Sequence, residues 1–480
     1  MSEFFAGLWS SLLRVDIMDG PVPLTVYALA LVGLVVTLLW RPTRRSLLGA
    51  LVGAILGDVV AVGLWAVFIR GLNFYGVGLG LPVYALLAAT LAGVGVCLAA
   101  LLRRGTPRGG RARRNQADAD AGQATTRTKR AGGAGVARRV VAALTAVAVV
   151  AAGTLAINAA FGLNATLASL MGIVVDDPVD LPAPSSSDPA VAPAHPLWST
   201  WKPPADMPKQ SQTGTLHIPN THSGFAARDA GIYLPPAALT NPAPRLPVVV
   251  FMYGLPGSPD PAPIGRVVDS FAANHNGLAP IVVVVDQVGA AVQDTGCVDS
   301  PLGNSRTYVM QDVVPWIRAN LNVFSDPHYW TIVGYSNGGQ CAISFGTEFP
   351  NTFRGVVSVS GEEFPGSANP AATLKQLFNG DSARYEQAKP INMLAHAHLP
   401  DSTAVFTAAK DDATFLPVAR RLAAAAQKAG MHTSLRVLDH GGHVGVAFYS
   451  GLQDGFAVMY PVLGLSQPGT DAVPAYVVTP

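Results

Sequence analysis

The chain has 480 residues, 50% of them hydrophobic and only 13% charged, with a formal net charge of +2. So apolar a composition excludes a mostly disordered polypeptide, and so great a length predicts more than one structural part. The charge is uneven, because Arg103 to Arg139 carries eleven Arg/Lys against Asp118 and Asp120, a net of +9, which leaves −7 for the remainder. A basic block can mark nucleic-acid binding, but long uncharged apolar segments flank this one, and that setting reads as membrane orientation.

Val22 to Trp40, Leu81 to Leu102 and Val140 to Leu163 hold no charged residue, and Ser46 to Ile69 is broken only by Asp58. Each is long enough to cross a hydrocarbon core of about 30 Å as a helix. Four membrane helices near 22–40, 46–69, 81–102 and 140–163 are predicted within a membrane domain over 1–165. The opening "MSEFFAGLWSSLLRVDIMDG" lacks a basic start running into an apolar stretch, so a removed signal peptide is not expected. Short Lys/Arg-rich loops stay in the cytoplasm. "RPTRR" and the basic stretch 103–139 are two crossings apart, so both fit inside. The N-terminus, "RGLNFYGVGLG" and everything after Leu163 then lie outside, giving a multi-pass protein of the cell membrane. "GALVGAILGD" sets Gly49, Gly53 and Gly57 four apart, a spacing for close helix packing within the chain. Asp58 is costly in such a helix, and an interhelical hydrogen bond is expected to satisfy it; a transporter resting on this one carboxyl is a weaker reading.

From Asp176 to Gln212 the sequence is rich in proline and serine without apolar periodicity, as a spacer would be. Over 213–480 short apolar runs alternate with helix-like segments. The runs at 246–254, 279–287, 329–334, 353–361, 403–411 and 433–440 read as strands buried on both faces. "TYVMQDVVPWIRANL" and "FLPVARRLAAAAQKAG" carry helical spacing. The order predicts an open, mostly parallel α/β sheet, whose reactive groups gather beyond the carboxyl ends of the strands.

Three such strand ends carry chemistry. "YWTIV" runs into Gly334-Tyr335-Ser336-Asn337-Gly338 and then a helix-like segment. This strand, sharp turn and helix is the setting of a nucleophile elbow, in which flanking glycines expose Ser336 Oγ. A serine nucleophile needs a base, and the base an orienting carboxylate. Asp411 and Asp412 end one later strand, and His440 and His443 the next, giving the order Ser, Asp, His. His443 is favoured over His440 because it follows Gly441-Gly442 in a loop free to reach over the sheet. Asp412 is favoured over Asp411, which stays open as the second choice. An oxyanion requires two preorganised N–H donors. Asn337 after the nucleophile supplies one, and Leu255 in "MYGLPGSP" is expected to supply the other, with Tyr253 standing where many hydrolases carry histidine.

Taken together, "GIYLPPAAL", "VVVFMYGLPGSP", "DTGCVDSPLGNSRTYVMQDVVPWI", "VGYSNGGQCA", "AAKDDATFLP" and "GGHVGVAFYSGL" resemble the esterase family that includes esterase D and the actinobacterial antigen 85 mycolyltransferases. The resemblance spans about Leu216 to Leu463. It implies an α/β-hydrolase fold, with Ser336, Asp412 and His443 at the triad positions and Leu255 and Asn337 at the oxyanion positions. The mycolyltransferases carry Glu where this chain has Asp412, and they lack a four-helix anchor.

Cys97 falls in a membrane helix, while Cys297 and Cys341 fall in the external domain, where a disulfide could brace the active-site side. His396 and His398 lack a third ligand at metal spacing, so neither metal nor cofactor is expected. No basic, aromatic-interleaved surface points to nucleic acid. The expected partners are an acyl-ester substrate, which could be a cell-envelope lipid or glycolipid, and the bilayer. The expected activity is that of a serine esterase. The same parts would serve an acyltransferase, and an inactive membrane scaffold or sensor is the reading of another class.

Overall fold

The computed structural model describes residues 9, 11–18, 20–40, 44–67, 81–102, 124–162, 164–173, 175, 178–182, 193–290, 293–470 and 477–478. The segments 41–43, 68–80, 103–123, 176–177 and 183–192 lie outside the described residues, and with them most of the "RPTRR" and "RGLNFYGVGLG" loops, the first part of the basic stretch and part of the expected spacer. Contacts divide the chain into two compact units, one essentially Val15–Ala160 and the other essentially Phe161–Pro480.

The first unit holds four long apolar helices, α1 (Pro21–Leu39), α2 (Arg44–Trp65), α3 (Leu81–Leu101) and α4 (Ala124–Phe161). All four are long and apolar enough to cross a membrane. α4 begins at Ala124, inside the basic stretch, so the residues before Val140 are helical rather than loop. The glycines of "GALVGAILGD" lie against α3: a Cβ on Gly53 would meet Gly95 O at 2.3 Å, and one on Gly57 would meet Leu91 O at 2.4 Å. Only glycine lets two backbones come this near. The stripe therefore serves packing within the chain, as expected. Asp58 does not behave as expected, since it lies exposed on α2 rather than hydrogen-bonded to a neighbouring described helix.

The second unit is built on a sheet of nine described strands. In chain order they are β1 (Gln212–Leu216), β2 (Ala230–Leu234), β3 (Val248–Met252), β4 (Ile281–Val284), β5 (Trp330–Tyr335), β6 (Gly355–Val359), β7 (Thr403–Ala409), β8 (His432–Leu438) and β9 (Val477–Val478), arranged β1-β2-β4-β3-β5-β6-β7-β8-β9. From β4 through β8 every pair is parallel, whereas β1, β2 and β9 join antiparallel at the two ends. The parallel strands are the continuous Val/Ile/Ala runs of the sequence, and β3, β4, β5 and β6 are buried along their whole length. Among the helices of the unit are α5 (Ala262–Asn274), α6 (Val314–Asn320), α7 (Asn337–Glu348), α8 (Phe415–Lys428) and α9 (Gly445–Val462).

One predicted helix is broken. Over "TYVMQDVVPWIRANL", Tyr308–Val313 forms wider turns with i to i+5 hydrogen bonds before α6 begins. Pro315 has no N–H to give the carbonyl four residues back, so the regular ladder cannot run through this point.

Candidate active site

β5 is the central strand, and its end turns sharply into α7 at Ser336, which adopts φ 56° and ψ −117°. A side chain held at positive φ costs on the order of 1–3 kcal/mol and persists only where its surroundings enforce it. The enforcement is visible in the backbone. Ser336 N–H donates to Val359 O at 2.9 Å, Gly338 N–H donates to Tyr253 O at 3.1 Å, and Glu362 N–H donates to Ser336 O at 3.1 Å. A Cβ on Gly334 would sit 2.0 Å from Gly338 O, and one on Gly338 would sit 2.1 Å from Met252 O. Both glycines of the G-x-S-x-G motif are thus required by close approach.

Ser336 Oγ lies 2.8 Å from His443 Nε2. His443 Nδ1 lies 3.4 Å from Asp412 Oδ2, within ion-pair reach. The pair is off hydrogen-bond alignment, and each of these two atoms lacks a hydrogen bond. The other oxygen, Asp412 Oδ1, accepts from Thr414 N–H at 3.0 Å and Phe415 N–H at 2.9 Å, which pins the carboxylate at the start of α8. Asp411 is occupied differently: its oxygens accept from Gly441 N–H at 3.3 Å and Gly442 N–H at 2.9 Å. Of the two aspartates, Asp412 is the one brought to His443, while Asp411 holds the loop that delivers the histidine. His440 remains exposed at the strand end.

Two aromatic rings that motif reasoning missed hold the imidazole. Phe415 stacks on it at 3.9 Å between centroids, and Tyr335 at 5.1 Å on the ring's other contact. Tyr335 Oη also donates to His443 O at 3.0 Å. Tyr335 is the variable residue of the motif and Phe415 opens α8, and neither position carries a sequence signal for this role.

Leu255 sits half-buried in the loop after β3. The preceding Gly254 lies so close to Ser336 that a Cβ there would meet Ser336 Cβ at 2.8 Å. Asn337 is the first residue of α7, where a backbone N–H has no intrahelical acceptor. Tyr253 is a packing residue: its ring stacks on Phe448 at 5.8 Å, and its hydroxyl donates to Asp260 O at 2.9 Å.

A second layer lies behind the elbow. Asn337 Nδ2 donates to Asp294 Oδ1 at 3.0 Å, and Asp294 also accepts from Gly296 N–H at 2.7 Å. Burial holds the Asp294 carboxyl above its usual range. Burial, and then repulsion from Asp294, push Glu362 up to about 8. A Cys297–Cys341 disulfide joins the Asp294 loop to α7. The long loop after β4 has no periodicity, so the sequence gives no sign that Asp294 returns to the elbow. His396 is exposed and its Nδ1 lies 2.8 Å from Asn392 O; among the described residues no group of three or more His, Cys, Asp or Glu could hold a metal.

Residues 226–458 match the family model described as "Putative esterase". A relative from Corynebacterium glutamicum, itself uncharacterized, is 35% identical over 232 residues, which are 46% of this chain and 54% of the relative. The chain thus spans about half the length of the curated relative it matches. Among solved structures, a ferulic acid esterase aligns at 20% identity and TM-score 0.45 over 54% of this chain and 98% of its own. An S-formylglutathione hydrolase from Agrobacterium tumefaciens aligns at 18% identity and TM-score 0.44, over 53% of this chain and 96% of its own. The match to that family model covers the strands and loops that carry Ser336, Asp412 and His443.

Proposed function

We propose that the chain is a membrane-anchored serine esterase whose α/β domain works outside the cytoplasm on acyl esters, a cell-envelope lipid or glycolipid being the expected substrate class. The observation that carries this reading is the 2.8 Å approach of His443 Nε2 to a serine hydroxyl on a strained elbow. In the proposed cycle His443 takes the Ser336 proton as Oγ attacks the ester carbonyl, and Asp412 stabilises the imidazolium. The Leu255 and Asn337 N–H groups face the oxyanion, a contribution of about 2.7–4 kcal/mol per donor. The imidazolium then gives its proton to the departing alkoxide, leaving an acyl-serine. Water attacks the acyl-serine with His443 again as base, which restores the serine and releases the acid.

The extracytoplasmic placement is supported by two independent features. The Cys297–Cys341 disulfide belongs to an oxidising compartment. The Arg-rich stretch that precedes the apolar part of α4 from Val140 marks the cytoplasmic side, so that the chain after α4 emerges on the other.

The test is covalent labelling of membranes with a fluorophosphonate probe, followed by p-nitrophenyl ester turnover with and without added alcohols. Wild type is expected to label, and Ser336→Ala and His443→Ala are not. Absence of labelling in folded wild type would sink the reading, and consumption of ester only when an alcohol is present would replace hydrolysis by acyl transfer.

A further inference from the structure

Helix α2 has two contrasting faces. Gly53 and Gly57 lie against α3. The opposite face, by helical period, carries Leu48, Leu51, Ile55, Asp58 and Val62 at spacings of three and four, the rhythm of a left-handed helix pair. Leu48, Leu51, Ile55 and Val62 are 53% to 62% exposed, and Asp58 among them is exposed too, with no hydrogen bond or ion pair to another described residue. At 1.5 Å per residue Asp58 stands about 21 Å along the axis from Arg44 and about 10 Å from Trp65, so neither end brings it to water.

A carboxyl group facing hydrocarbon alone is strongly disfavoured. Its own chain has no cation for it, since no Lys, Arg or His lies within Val22–Trp40, Leu47–Leu64, Leu81–Leu102 or Val140–Leu163. A carboxylic acid, however, offers both a donor and an acceptor and is its own complement. A twofold axis sets identical positions face to face. Resting on the membrane reading above, we propose that α2 pairs with α2 of a second copy in the bilayer. The Leu48, Leu51, Ile55 and Val62 seam packs on itself, and the two Asp58 carboxyls hydrogen-bond across the axis. The polar pair fixes the register that an all-apolar seam would leave free.

The experiment uses the full chain in native membranes. Cysteine is placed singly in a Cys97→Ala background at Leu51 or Val62 on the seam, or at Leu29 on α1, which is 60% exposed and serves as control. After carbonate washing, oxidation with copper phenanthroline and a non-reducing gel report the crosslinked fraction. Leu51→Cys and Val62→Cys are expected to give a band at twice the chain mass, and Leu29→Cys is not. Adding Asp58→Leu is expected to weaken association roughly 5- to 30-fold, read as loss of the band on dilution in lipid, while Asp58→Asn, which still donates and accepts, retains it. A chain stripped off by carbonate would overturn the membrane reading together with this inference. A retained chain that fails to crosslink at the seam, crosslinks equally at Leu29, joins a different polypeptide or ignores Asp58→Leu would overturn the self-pairing alone.

Discussion

The Cys297–Cys341 disulfide closes a segment of sequence separation 44 that contains α6, β5 and the Ser336 elbow. In the chain-entropy account, opening a loop of this length frees the unfolded state by about 13 cal/mol/K, or about 4 kcal/mol at 25 °C. Both sulfur-bearing residues are buried, at 3% and 0% exposure, so alanine at each adds a packing loss on top of this figure, which is therefore a lower bound. For a domain of ~270 residues unfolding with about 2.1 cal/mol/K per residue, 4 kcal/mol lowers Tm by about 7 °C. The double variant Cys297→Ala/Cys341→Ala, purified in detergent, is compared with wild type by tryptophan fluorescence on heating. Because the bridge also ties down the loop whose Asp294 accepts from Asn337, fluorophosphonate labelling is expected to slow in the same variant. A Tm within ~2 °C of wild type, with labelling unchanged, would refute the account.

Other consequences follow from single contacts. Asp412→Asn leaves His443 without its anionic partner, and kcat for a p-nitrophenyl ester is expected to fall by roughly 10³- to 10⁴-fold with KM little moved. Asp411→Asn keeps an acceptor oxygen for Gly442 N–H, and steady-state assays should show a loss smaller than ~10-fold. Gly338→Ala would drive a methyl to 2.1 Å from Met252 O, so a protein that fails to accumulate or unfolds far below wild type is expected; a normal melting curve would contradict the close approach. Glu362 keeps its proton to about pH 8 in the folded domain against a usual 4.5. Between those values the unfolded chain releases a proton that the folded one holds, so stability falls as pH rises through this window. Glu362→Gln should raise the urea midpoint relative to wild type at pH 9 and leave it unchanged at pH 4, and equal midpoints at pH 9 would dismiss the shifted carboxyl.

Sequence alone determined the plan of this protein. Four apolar stretches near 20 residues, one of them broken only by Asp58, can satisfy their backbones in hydrocarbon only as helices, and strands buried on both faces read as nearly continuous apolar runs, so β3 to β6 were legible. The elbow was legible because strand, G-x-S-x-G and helix are contiguous, and the Ser, Asp, His order needed only the ends of three strands. What lay beyond reading were contacts between residues far apart in the chain. Loop position favoured Asp412 over Asp411 but left the second open, and it is the start of α8, whose N–H groups pin Asp412, that separates the two. The stacking of Tyr335 and Phe415 on His443, and the return of Asp294 to Asn337, join residues 28 to 108 positions apart. The exposure of Asp58 likewise depends on which face of α2 its glycines turn toward α3. Periodicity fixes which residues share a face of one element, and only tertiary packing decides what that face meets.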